Sequence, residues 1–140
     1  MIDSPIQRSR VRPWLVCESG TRWLASLHRF CDELMPPPLV ASITPVAPAE
    51  TARPLAGRER LIVLWEATDD NFIQTCDWLI AISQYQPAAL KWIAAGELSD
   101  RELVVLSELG AAAVIRQPEH LPRLKVMVKA YFASSTHHLD

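Results

Sequence analysis

The sequence predicts a three-layer α/β domain, a doubly wound five-stranded parallel sheet with helices on both faces. Three observations predict it. LIVLW, residues 61–65, is continuously apolar and partly β-branched, the pattern of a central strand buried on both faces. Other short apolar runs alternate with stretches of helical length and helical spacing. In the last third, residues 90–132 read as strand, capped helix, Gly-Ala turn, short strand, proline and final helix. Strands alternating with helices in this way imply right-handed crossovers and a parallel sheet.

The elements follow in order. Residues 1–12 are polar and Arg-rich and read as a loose N-terminal tail, residues 13–133 as the domain, and residues 134–140 as a C-terminal tail. WLVC, residues 14–17, is a first strand closed by Glu18-Ser19-Gly20. Leu24, Leu27, Cys31 and Leu34 then recur at helical spacing until Pro36–Pro38, which cannot continue a helix. Residues 39–43 form a second strand. Pro45, Pro48, Pro54 and Gly57 leave room between 44 and 60 for at most a short helix near residues 49–53, so the second helix is curtailed.

After the central strand, Asp69 and Asp70 suit the positive end of a helix dipole. The helix they introduce would turn Phe72, Ile73, Cys76, Leu79 and Ile80 to the core and end at Gln86-Pro87. Residues 90–95 make a fourth strand. Ser99-Asp100-Arg101-Glu102 is a capping box, in which the serine hydroxyl takes the Glu102 amide and the Glu102 carboxylate reaches back. Gly110 closes that helix in the left-handed region. Residues 112–115 are a fifth strand, and Leu121, Leu124, Val128, Tyr131 and Phe132 line the core face of the last helix.

The bulk properties exclude several classes. With 140 residues, 49% hydrophobic and 21% charged, the chain is one ordinary globular domain. A net charge of −2 lacks the basic excess of a nucleic-acid binder. No apolar run approaches a membrane span, and Arg8, Arg10 and Arg12 are not followed by a signal-peptide core. Cys17, Cys31 and Cys76 are three, widely spaced and in apolar context, and read as small buried hydrophobes in a reducing cytoplasm. Glycine is scarce and there is no Gly-rich phosphate loop or nucleophile elbow. No cofactor and no metal site are expected. His137-His138 reads as a solvated end, and His28 and His120 have no nucleophile or acid at a catalytic spacing.

From residue 14 to residue 132 the chain resembles the response-regulator receiver family, most closely in ELGAAAVIRQP, which is similar to that family's Gly-Ala, strand, Lys-Pro segment. The resemblance implies a flavodoxin-like (βα)5 fold and a cis bond at Gln117-Pro118. It also implies five functional positions, and this chain departs from nearly all of them. Glu18 matches the first of two acids in kind, but Ser19 replaces the second. The phosphoacceptor position falls on Trp65, or on Glu66 in the neighbouring register. Ala95 stands where a hydroxyl belongs, and Gln117 where a lysine belongs.

Phosphoryl transfer needs a nucleophilic carboxylate, a cation held by further carboxylates, and groups that meet the developing charge. Indole cannot attack phosphorus. The longer glutamate displaces the nucleophile from in-line geometry. Glu18 and Glu66 without a third ligand make a poor magnesium site, and the plain reading of both is a solvated or helix-capping acid. The chain is thus expected to be a pseudo-receiver and not an enzyme.

Its expected role is signalling or regulation through contacts with another protein or a second copy of itself. The resemblance directs attention to Val105, Val114, Arg116, Lys125 and Lys129, an apolar patch ringed by cations, with ordinary surface scatter as the plain alternative. Trp78 and Ile82 fall off the expected core face of their helix. They are either a second contact surface or packed beneath the connection at 44–60. The rival functional reading is a flavodoxin-like domain that binds a small ligand, or does unrelated chemistry, in a pocket near Glu18, Trp65 and Ala95 at the C-terminal edge of the sheet.

Overall fold

In the computed structural model, which describes residues 10–48 and 60–137, five strands form one parallel sheet. They are β1 (Val11–Cys17), β2 (Val40–Pro45), β3 (Ile62–Glu66), β4 (Leu90–Ala94) and β5 (Ala113–Ile115). The helices are α1 (Arg22–Leu34), α2 (Phe72–Tyr85), α3 (Asp100–Glu108) and α4 (Lys125–His137), the last preceded by a 3-10 helix over Pro118–Leu124. The strand order is β2-β1-β3-β4-β5, so the chain reverses its direction of winding between β1 and β3. That reversal opens a crevice at the carboxyl ends of these two strands, where doubly wound sheets place their sites. The expected three-layer fold is therefore the observed one.

Alternate residues of each inner strand feed two separate cores. Trp14, Val16, Ile62, Leu64, Trp92 and Ala94 face α1 and α4, where Trp23, Leu27, Leu34, Val128 and Phe132 close over them. Cys17, Val63, Trp65, Ile93 and Ala95 face α2 and α3, under Trp78, Leu79, Ile82 and Leu106. Trp14 meets Trp92 edge to face at 5.4 Å in the first core, and Trp65 stacks on Trp78 at 4.5 Å in the second. Tyr131 ties α4 to the sheet, its hydroxyl bonding the Leu61 backbone and donating to the Ala88 carbonyl. Burial pushes that phenol up to about 12.

Local signals that require no long-range partner are found where the sequence puts them. Ser99 Oγ accepts from the Glu102 amide at 3.2 Å, and the Glu102 carboxylate accepts from the Ser99 amide at 2.9 Å. Gly110 has φ of +117°, a conformation that other residues rarely adopt.

Several boundaries differ from expectation. β1 begins at Val11, inside the expected tail, because residues 11–13 pair with β2 before β3 joins at Trp14. Pro13 is tolerated there, on the stretch of strand that has only one neighbour. α4 runs on through the start of the expected C-terminal tail to His137. The Gln117-Pro118 bond is not cis; the only cis bond among the described residues is Pro37-Pro38. Gln117 is extended, as a residue before proline prefers, and Pro118 opens the 3-10 helix, where its missing N–H leaves no bond unmade. Cys17 is buried as expected, whereas Cys31 and Cys76 are half-exposed on their helices. The short helix expected near residues 49–53, the residues before 10 and His138 lie outside the described residues.

The largest difference is the rotation of α2. Trp78 and Ile82 are buried, at 5% and 0% exposure, while Ile73 and Ile80 are 71% and 49% exposed. The buried face is Thr75, Trp78, Leu79 and Ile82, turned about one residue, or roughly 100°, from the expected one. Apolar residues occur nearly all round this helix, so periodicity alone allows either face inward. The sheet selects the face carrying Trp78, because Trp65 offers it a stacking surface. Thr75 can be buried in that face because its hydroxyl accepts from Trp65 Nε1 at 2.8 Å. Trp78 and Ile82 are therefore core residues and not a contact surface.

Candidate functional site: an acidic cleft at the switch point

The crevice between β1 and β3 is a partly open cleft of about 680 Å³. Its lining includes Glu18 and Ser19 after β1, Trp65 and Glu66 at the end of β3, and Asp69, Asp70, Asn71 and Gln74 at the start of α2. Glu97 reaches it from beyond β4. Five of its lining residues are acids and none is basic.

Each position that the sequence marked has an assignable occupation. Glu18 accepts the Trp23 amide at 3.0 Å and the Leu24 amide at 2.7 Å, one on each carboxylate oxygen. Thr21, at the N-cap of α1, makes no side-chain cap, so Glu18 takes that task from four residues before the helix. This agrees with the plain capping reading. Ser19 crosses the crevice, its amide and hydroxyl donating to Glu66 Oε1 at 3.0 and 3.1 Å. Trp65 is buried between Thr75 and Trp78. Ala95 is fully buried and pairs through its amide with Ile115, outside the cleft lining. Gln117 is exposed and lines a separate shallow hollow with Arg22, Gly96, Glu97, Arg116 and Glu119.

The donor set does not fit a divalent cation. Among the described residues no group of three or more His, Cys, Asp or Glu could hold one. Both Glu18 oxygens are spent on backbone amides, and Ser19 contributes no carboxylate. The field is also wrong for a phosphate donor, since five carboxylates face it with no cation among the lining residues. The same field acts on Cys17 in the cleft wall. Burial first, then Glu66 and Glu18, push its thiol up to about 11, which disfavours the thiolate.

The loop from β3 to α2 contains the residue that the sequence reading missed. Asn71 is the N-cap of α2, directly after Asp69 and Asp70. Its amide nitrogen donates to the Glu66 carbonyl at 2.9 Å, and its Oδ1 accepts from the Thr68 amide at 2.7 Å. Thr68 and Asn71 stand three apart just before an apolar stretch, which is the available sequence signal for such a turn. Held this way, Asp69 and Asp70 line the cleft just ahead of the helix N-terminus.

The residues proposed as a partner face do not form one uniform patch. Val105, Lys125 and Lys129 are exposed, and Val114 is half-buried. Arg116 is engaged internally, donating to the Leu98 carbonyl at 2.8 Å and pairing with Asp100 at 2.9 Å. It fastens the loop after β4 to the start of α3. No helix of the described residues is long and apolar enough to cross a membrane.

No family model matches this sequence, and no curated protein matches it. Solved structures do match in fold. A CheY-like protein, tadZ, from Pseudomonas aeruginosa superposes with a TM-score of 0.64 at 9% identity, covering 86% of this chain and 92% of its own. A pilus assembly protein, cpaE, from Burkholderia thailandensis gives 0.64 at 17% identity, covering 87% and 98%. A pilus assembly-related protein from Burkholderia pseudomallei gives 0.63 at 17%, covering 86% and 90%. The chain thus has the receiver fold, and the likeness at these identities is one of fold.

Proposed function

We propose that this chain is a receiver-like domain without a phosphorylation switch, acting through protein–protein contacts in signalling or regulation. One observation carries the reading: the phosphoacceptor position is filled from both sides of the possible register. Trp65 is locked in the core, and Glu66 spends an oxygen on Ser19 across the crevice. Ser19 holds Glu66 Oε1 in place, and a phosphoryl group on this carboxylate would bring further negative charge among the other acids of the cleft. The regulation it supports is constitutive, with output supplied by a bound partner. The pilus-assembly names of two neighbours direct the first partner screen toward proteins that build surface fibres.

The rival reading, a small-ligand site at the strand ends, is constrained by charge. Nucleotides and flavin phosphates are disfavoured in this cleft, and Ala95 does not contribute to it.

Radiolabelled acetyl phosphate with magnesium tests the switch. We expect incorporation at background for both the wild type and Glu66→Gln, against a phosphorylatable receiver as positive control. Stoichiometric labelling of the wild type that Glu66→Gln abolishes would overturn the proposal.

A further inference from the structure

We infer that the outer face of α2, with the acidic cleft at its N-terminal end, is a docking surface for a basic amphipathic segment of a partner protein. The inference rests on the interaction-module reading and supplies its surface and partner chemistry. Ile73, Asp77, Ile80 and Gln84 follow one another at helical spacing along an outward stripe, flanked by half-exposed Cys76. Ile73 is 71% exposed and Ile80 is 49% exposed. Within α2 the only charged residue is Asp77, so nothing basic interrupts the stripe.

The stripe begins beside Gln74, which lines the cleft with Asp69, Asp70, Glu66 and Glu97. Among the described residues, none of these acids is in an ion pair. This surface therefore offers exposed isoleucines along a helix and, at its end, carboxylates with no cation among the residues lining the cleft. Exposed isoleucines two turns apart on one helix face give an apolar surface that a partner can cover, and its complement is a helix with apolar residues at the same spacing and cations toward one end. A second copy fits poorly, because it would bring Asp77 and the cleft acids against like charge.

Two labelled model helices test this by fluorescence anisotropy: a leucine–lysine peptide and a leucine–glutamate peptide with the same apolar pattern. We expect the lysine peptide to bind the full chain and the glutamate peptide not to bind. Ile73→Asp with Ile80→Asp should weaken binding at least about tenfold, as loss of central apolar anchors does. This pair adds negative charge, so purely electrostatic attraction would strengthen instead. Val104→Asp with Val105→Asp adds the same charge on α3 and should leave affinity unchanged. Asp69→Asn with Asp70→Asn should weaken binding and flatten its salt dependence.

Equal binding by the Ile73/Ile80 variant, equal loss in the Val104/Val105 variant, or no binding of the lysine peptide would overturn the assignment. So would a wild-type dimer in sedimentation velocity that the Ile73/Ile80 variant abolishes, which would give the face to a second copy. Acetyl phosphate labelling reads the dead switch separately, so either proposal can fail while the other stands.

Discussion

The helices α1 and α2 are near in length, lie on opposite faces of the sheet, and each buries a tryptophan, yet their outer surfaces are unlike. Outside, α1 presents Arg22, His28, Arg29, Asp32 and Glu33, an ordinary solvated face. α2 presents Ile73 and Ile80 with a single acid between them. Their N-termini differ as well. The first turn of α1 takes both oxygens of Glu18, and α2 begins at Asn71, whose side chain bonds the preceding loop and the Thr75 hydroxyl. The difference separates two uses of an apolar residue. On α1 every large aliphatic side chain packs into the core, whereas on α2 some do and Ile73 and Ile80 stay exposed.

The comparison is broken most severely in the core. Trp78→Ala should cost about 3–5 kcal/mol in urea unfolding, because it removes the partner of Trp65 and leaves a cavity that α2 cannot refill without turning. A loss below about 1 kcal/mol would mean that the helix can rotate to bury Ile73 and Ile80 instead. Glu18→Ala should cost about 1 kcal/mol, the usual scale for a lost N-terminal cap, and should raise amide exchange in the first turn of α1 while sparing α2. Equal exchange increases in both helices would show that Glu18 supports the whole crevice. Ile80→Ser should shift stability by no more than about 0.5 kcal/mol, as surface changes do. A larger cost would make Ile80 part of the fold and withdraw it from the docking surface.

Much of the fold was legible in the chain because its signals are local. The capping box at Ser99–Glu102, the left-handed Gly110, the prolines after α1 and the apolar run of β3 each act within a few residues, so reading them needs no partner. The side-chain types near the strand ends are similarly local: Ser19 and Gln117 carry no carboxylate or amine and Ala95 no hydroxyl, wherever the fold carries them.

What the sequence determined by itself was the element order, the parallel α/β class and the side chains available at the sheet's carboxyl edge. The tertiary structure alone decided which face of α2 is buried, because two apolar arcs compete on that helix and only Trp65, from another element, distinguishes them. It also decided that Ser19 meets Glu66 from 47 residues away and that Arg116 turns inward to Leu98 and Asp100. Periodicity specifies which residues share a face. Which of two apolar faces turns inward depends on packing against residues distant in the chain, and spacing within a single helix carries no record of them.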